Sequence, residues 1–132
     1  MRYFKETIKL PKTDIVIYQD EDGSVPLVKW LKKQSQKVQD KCITMIDMLA
    51  AEGHELRRPY ADYLDKGIYE LRPIVKRVQY RILYCFVGKN IVLLTNGLIK
   101  TDKVPAIEIK KAMGYRDRFV ENPSLHSFKI KD

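Results

Sequence analysis

The sequence has few cysteines, few histidines and no long apolar run, and each shortage excludes a class of protein. Cys42 and Cys85 lie far apart without a CxxC motif, so we expect two buried thiols. His54 and His126 lack the spacing of metal ligands, which predicts no metal site. No apolar run approaches the roughly 18 residues of a membrane span. The basic start MRYFKETIKLPK lacks an apolar signal segment, so we expect a cytoplasmic protein.

Positive charge is what the chain has in excess. Its 132 residues include 25 Lys and Arg against 17 Asp and Glu, a net charge of +8. Such an excess favours a polyanionic partner, such as nucleic acid, a ribosome or an acidic protein. A protein that is merely basic stays the alternative. The length is typical of one domain, and we find no repeat, low-complexity tract or linker.

The hydrophobic pattern predicts an α+β fold in the order β, α, α, β, β, β, α. Ser24 is the expected cap of the first helix, and Gly53 is expected to end the second. Residues 54–66 read as a polar connection, and the tail after 119 is either loose or adds an edge strand at Leu125, Phe128 and Ile130. We expect helices against one face of the sheet. The predicted ranges are a strand at 14–18, a helical hairpin ending near 52, strands at about 68–73, 78–87 and 91–99, and a helix at 105–119.

Alternation along the strands separates two faces of the predicted sheet. Tyr80, Ile82 and Tyr84 share one side, which we expect to meet the helices. Arg81 lies on the other side, as do Glu70 and Arg72 of the preceding strand. We therefore predict an open, basic sheet face suited to a phosphate backbone. The alternative interpretation is that both arginines simply pair with Glu70.

Several blocks resemble the HigB-like, phage-derived branch of the RelE/ParE toxin superfamily. They are DEDGSVPLVKWL, AAEGHELRRPY, GIYELRP, YRILYCF and NIVLLTNGLIKTDKVPAIEIKKA. The resemblance covers about residues 14–119 and implies a RelE-like fold, with a small, mostly antiparallel sheet on an N-terminal helical hairpin and a C-terminal helix. It implies one domain over 1–132, with an N-terminal extension at 1–13 and a C-terminal tail at 120–132. The family's HGF motif is altered: Thr95 or Asn96 replaces the histidine and Leu98 the phenylalanine.

The resemblance implies a ribonuclease that cuts mRNA in the ribosomal A site without metal or other cofactor. The ribose 2′-OH attacks the adjacent phosphate and leaves a 2′,3′-cyclic phosphate, which requires a proton acceptor, cations and a donor for the leaving oxygen. By resemblance, Arg81 holds the phosphate, Arg72 is a second phosphate contact, and Lys100 stabilises charge or acts as an acid. Glu70 either accepts the proton or orients the arginines. The expected RNA-binding residues are Lys76, Arg77, Lys103, Arg116 and Arg118.

Two other functions stay open at this point. One is the ParE-like alternative, an inhibitor of DNA gyrase with the same fold. The other is a non-enzymatic module, since only Lys100 remains of the family's lysine pair and Thr101 follows it. The resemblance also implies partners: a HigA-like helix-turn-helix antitoxin, the ribosome and mRNA, with no membrane involved.

Overall fold

The protein is described by a computed structural model that covers residues 13–128. Residues 1–12 and 129–132, which include the expected strand residue Ile130, lie outside the described part. The elements in chain order are β1 Asp14–Tyr18, α1 Pro26–Lys32, α2 Gln36–Glu52, a short 3-10 helix Gly53–Glu55, β2 Ala61–Asp65, β3 Ile68–Leu71, β4 Ile74–Val75, β5 Val78–Val87, β6 Ile91–Lys100, α3 Ala106–Glu121 and β7 Ser127–Phe128.

Within residues 13–128, seven strands form a single sheet. Its order is β2-β3-β5-β6-β1-β7, and β4 pairs with β5 beside this path. Every pairing is antiparallel except that of β1 with β6. The predicted α+β class with a mostly antiparallel sheet is therefore confirmed. Within the described residues, no helix combines the length and apolarity needed to cross a membrane.

The helical hairpin forms as predicted, but its first cap does not. Ser35 lies between the two helices as the N-cap of α2, where its Oγ accepts a hydrogen bond from Val38 N at 3.3 Å. Gly53 ends α2 with a φ of 55°, a conformation that favours glycine. Ser24 was wrongly expected to cap α1, because its hydroxyl instead donates to Asp22 Oδ1 at 2.7 Å. The residue at the cap of α1 is Val25, which makes no side-chain bond.

Helices cover both faces of the sheet, so the prediction of helices on one face is wrong. One core lies between the sheet and the helical hairpin, and includes Leu49, Ile82 and Tyr84. A second core lies between the opposite face and α3, where Phe119 packs with Leu83 and other apolar side chains. These strand residues are too apolar to leave in water, because burying each one stabilises the fold by about 1.5–3 kcal/mol.

Two segments that were not clearly predicted as strands, β2 and β7, pair at the two edges of the sheet. The predicted connection at 54–66 contains β2, which pairs antiparallel with β3 and places buried Ala61 opposite Leu71. Tyr63 on β2 meets Tyr69 edge-on, with ring centroids 5.1 Å apart. In the tail, Phe128 of β7 pairs with Ile17 of β1. The edge-strand alternative for the tail is thus the one that the structure shows, though only at Ser127–Phe128.

Candidate functional site

A cluster of charged and polar side chains lies on the neighbouring strands β3, β5 and β6, near the start of β5 and the end of β6. It consists of Glu70 on β3, Arg72 just after β3, Gln79 and Arg81 on β5, and Lys100 on β6, and we call it the sheet-end cluster. The registers pair Gln79 with Lys100 across the β5–β6 ladder. Directly opposite residues in such a ladder have Cβ atoms about 4.5–5.5 Å apart. The strands therefore bring these polar side chains together.

Arg81 lies wholly inside this cluster, with a side chain that is 0% exposed. Its Nε donates to Glu70 Oε1 at 3.0 Å, its Nη1 to the Tyr80 carbonyl at 2.8 Å and its Nη2 to Gln79 Oε1 at 2.6 Å. Burial lowers the pKa of the guanidinium, while the Glu70 carboxylate opposes the shift. The group remains charged, because arginine does not lose its proton in proteins. The prediction of an open basic face at Arg81 is therefore wrong.

The buried pair belongs to a longer series of alternating charges. Arg72 Nη1 donates to Glu70 Oε2 at 3.1 Å and lies 3.7 Å from Asp62 Oδ2. Arg58 in turn donates to Asp62 at 2.9 Å, and this bond is the main cause that lowers the pKa of Asp62. Both arginines thus pair with Glu70, as the alternative interpretation of the sequence predicted. With its side chain 19% exposed, Arg72 is the arginine of the pair that solvent reaches.

The remaining candidates at this end of the sheet are partly or fully exposed. Lys100 ends β6 and is partly exposed, and Lys103 is exposed in the loop before α3. Lys76 and Arg77 form the two-residue turn between β4 and β5, with φ values of 50° and 70°. Such turns normally use Asn or Gly, because other residues are strained at positive φ. A strained turn with two cations at its tip is a candidate for function.

The two arginines of α3 lie away from the sheet-end cluster. Arg116 Nη1 donates to the Lys66 carbonyl at 2.7 Å, in the turn between β2 and β3. Arg118 Nη1 contacts Tyr18 Oη at 3.4 Å, and its guanidinium carbon lies 5.6 Å from the centre of the Tyr115 ring. The predicted RNA-binding residues therefore do not all converge on one groove.

The two candidates for the altered HGF position also point elsewhere. Thr95 is fully buried, and its Oγ1 donates to the Leu83 carbonyl at 3.0 Å. Asn96 Nδ2 donates to Glu108 Oε1 at 3.0 Å, which ties β6 to α3. Neither side chain bonds to a residue of the sheet-end cluster among the contacts of the described residues.

Gln79 is the member of the cluster that the sequence did not reveal as functional. Its amide oxygen accepts a hydrogen bond from Arg81 Nη2 at 2.6 Å. Two-residue spacing from Arg81 was the available signal, because it places both on one face of β5. Across residues 13–128, no three His, Cys, Asp or Glu side chains group as metal ligands would.

Comparison with known proteins gives one match to a family. A family model described as Phage derived protein Gp49-like (DUF891) matches residues 29–116. The matched region spans well over half of the 132 residues and contains every member of the sheet-end cluster. No protein with a curated description matches the chain.

Proposed function

This chain belongs to the phage-derived Gp49-like family, and we propose that it acts as the toxin of a type II toxin–antitoxin system. The finer proposal is a RelE/HigB-type endoribonuclease that cuts mRNA on the ribosome and thereby stops translation. The blocks of sequence that resemble these toxins support it. A net charge of +8 suits a protein that must approach a ribosome or RNA.

The observation that carries the proposal is the excess of cations in the sheet-end cluster. Arg72 and Arg81 both pair with Glu70, Asp62 lies beside Arg72, and Lys100 lies opposite Gln79 on the neighbouring strand. Three positive charges therefore meet two carboxylates, which do not neutralise them. Arginine and lysine at this density suit a phosphate whose negative charge grows in the transition state.

Exposure assigns different roles to these cations in our proposal. Arg72 and Lys100 are the two that a phosphate reaches from solvent, so we give them the direct contacts. Arg81 acts from beneath, where its charge adds to the potential of the site and its bond holds Glu70. Both oxygens of Glu70 already accept from arginines, which favours an orienting role over that of general base.

The proposed reaction is a transfer within the RNA strand. The 2′-oxygen forms a bond to the adjacent phosphorus and gives up its proton, while the bond from phosphorus to the 5′-oxygen breaks and that oxygen takes a proton. The products are a 2′,3′-cyclic phosphate and a free 5′-hydroxyl. The cations stabilise the extra charge on the phosphate oxygens as the new bond forms.

The experiment combines the purified protein with translating ribosomes and analyses both ends of each cut. We expect cyclic phosphate and 5′-hydroxyl ends from the wild type. Lys100→Ala and Arg72→Ala should each slow cutting by about 10²–10³, the usual cost of losing one group that stabilises the transition-state charge. Lys37→Ala is the matched control, because this exposed lysine lies on α2. Equal cutting by all variants would refute the assignment of the site.

The burial of Arg81 favours a second candidate, a toxin that binds its target without cutting RNA. A guanidinium with no exposed surface and three bonds is occupied by structure rather than by a ligand. On this alternative the wild type arrests growth without RNA cuts. Inhibition of DNA supercoiling by the purified protein would then identify gyrase as the target.

We also propose a HigA-like helix-turn-helix antitoxin as partner. The resemblance implies it, and the positive charge of the chain suits an acidic binding segment. Co-expression of the neighbouring gene should restore growth and yield a co-purifying complex. A neighbouring gene product that neither binds nor restores growth would contradict this partner.

A further inference from the structure

A cleft opens between α1 and α3 where they flank β6, with a volume of about 210 Å³. It shares no residue with the sheet-end cluster, and Asn96, one of the two candidates for the altered HGF position, lines it. Its lining includes Lys29 and Trp30 from α1, Lys33 at the end of that helix, Asn96 from β6, and Glu108 and Lys111 from α3.

Trp30 forms the wall of this cleft and lies directly on the backbone of β6. A Cβ built on Gly97 would lie 2.3 Å from Trp30 Cε3, so only glycine admits the indole there. Lys29 and Lys33 lie on the same side of α1 as this ring, at helical spacing. The helix therefore presents an aromatic ring and two cations together.

Asn96 lies at the floor of the cleft with an unsatisfied oxygen. The residue is 5% exposed, and its Oδ1 is the buried side-chain atom without a hydrogen-bond partner among the described residues. Its Nδ2 donates to both the carboxylate and the carbonyl of Glu108, at 3.0 and 3.4 Å. Turning the amide round would oppose its oxygen to these two acceptors, so the bonding fixes its orientation. This oxygen has almost no accessible surface, so Asn96 shapes the cleft, and a ligand contacts the exposed lysines beside it.

The charge of the cleft favours an anion. Lys111 Nζ pairs with Glu108 at 3.3 Å, while Lys29 and Lys33 make no ion pair within residues 13–128. Both lysines are exposed, so a ligand reaches them, and the charge of Lys29 also acts on the Asp22 carboxylate. Cations beside an aromatic ring are what proteins use to hold single-stranded nucleic acid, through phosphate contacts and base stacking.

Position along β6 connects the cleft with the candidate site. Asn96 and Lys100 are four residues apart on this strand, which is about 13 Å at the usual rise. We propose that the cleft binds one phosphate and its nucleotide in a single-stranded RNA, outside the place where the strand is cut. The inference rests on the proposed function, because it takes RNA as the ligand.

The test measures binding of a short fluorescent single-stranded RNA by anisotropy, over a range of salt concentrations and without ribosomes. The cleft variant carries Lys29→Ala and Lys33→Ala together, and the matched control carries Lys37→Ala and Lys41→Ala on exposed positions of α2. All four lysines are exposed, so neither variant disturbs a core. Both variants change the net charge equally, which separates a local effect from a general one.

We expect the cleft variant to bind several-fold more weakly, with a salt slope lowered by about 0.7 for each lysine lost, and the control to match wild type. Equal binding by the cleft variant and the control would overturn the cleft proposal. Absence of RNA binding by wild type at low salt would overturn it too. Neither result bears on the proposed function, because that function is tested separately by the cutting of mRNA on ribosomes.

A competing ligand decides between RNA and an acidic peptide. In one outcome, polyglutamate displaces RNA from the wild type and its binding depends more on the two cleft lysines than RNA binding does. This outcome would assign the cleft to an acidic protein segment and overturn the RNA proposal. RNA that prevails over polyglutamate at equal charge, and over DNA of the same sequence, supports it.

Discussion

Replacing Glu70 by glutamine tests the buried ion pair at the centre of the sheet-end cluster. The side chain of Arg81 is 0% exposed and that of Glu70 is 5% exposed, with 3.0 Å between Nε and Oε1. Glutamine keeps one acceptor for Arg81. It also places either an amide donor or a neutral oxygen where Oε2 now accepts from Arg72 at 3.1 Å. The variant keeps the shape of the side chain and loses its charge.

The expected loss follows from the burial of both groups. Breaking a buried pair from one side costs about 3–5 kcal/mol, because the other charge stays buried without a counter-ion. One retained hydrogen bond offsets about 1 kcal/mol of this, which leaves a loss of about 2–4 kcal/mol in the free energy of unfolding. The free energy of unfolding of a 132-residue chain is about 7–20 kcal/mol in total, so a loss of this size is readily measured.

Urea unfolding at neutral pH, followed by circular dichroism, measures this loss. Asp62→Asn is the control for the more exposed end of the series, and should cost less than about 1 kcal/mol. The double variant Glu70→Leu with Arg81→Met should lie closer to wild type than Glu70→Gln, because it removes the fully buried charge together with its partner and leaves only the partly exposed Arg72 without Glu70. A Glu70→Gln variant within about 0.5 kcal/mol of wild type would refute the reasoning.

Three further predictions concern packing, thiols and acid stability. Gly97→Ala should destabilise the fold by about 1–3 kcal/mol in urea unfolding, because its Cβ would meet the Trp30 ring at 2.3 Å; an unchanged midpoint would contradict this contact. Burial raises the pKa of Cys42 to about 11 and of Cys85 to about 12, so iodoacetamide should label both thiols only after denaturation, and rapid labelling of the folded protein would contradict their burial. An arginine bond lowers the pKa of Asp62, which adds stability above the unfolded pKa of about 3.9 and loses it as pH falls through the folded pKa; the stability gap between wild type and Asp62→Asn should close in that range, and a gap independent of pH would contradict the bond.

The strands and helices that local pattern determines were predictable from the sequence. Alternation from Val78 onward and the turn at Gly88 define β5 and β6, which form the longest ladder of the sheet. Gly53 ends α2 as its position indicates. By contrast, β2 was missed because its residues alternate only weakly, and its pairing with β3 is a tertiary choice. An amphipathic pattern likewise shows that α3 buries one side, without showing which sheet face it covers.

The same limit applies to the candidate site. Alternation correctly placed Arg81 on the face opposite Tyr80 and Tyr84, but it does not show what covers that face. Glu70 reaches Arg81 from eleven positions away along the chain, through the pairing of β3 with β5. The cleft at Asn96 depends on two helices meeting at one strand, which no local pattern contains.

Mapping of mRNA 5′ ends after induction in growing cells tests the central claim most directly. Wild type is compared with a variant carrying Arg72→Ala and Lys100→Ala, and with a control carrying Lys37→Ala and Lys41→Ala. We expect arrest with cuts inside translated messages for wild type and control, and neither arrest nor cuts for the site variant. Arrest without cuts, or cuts that persist in a folded site variant, would contradict the claim that this cluster cleaves RNA.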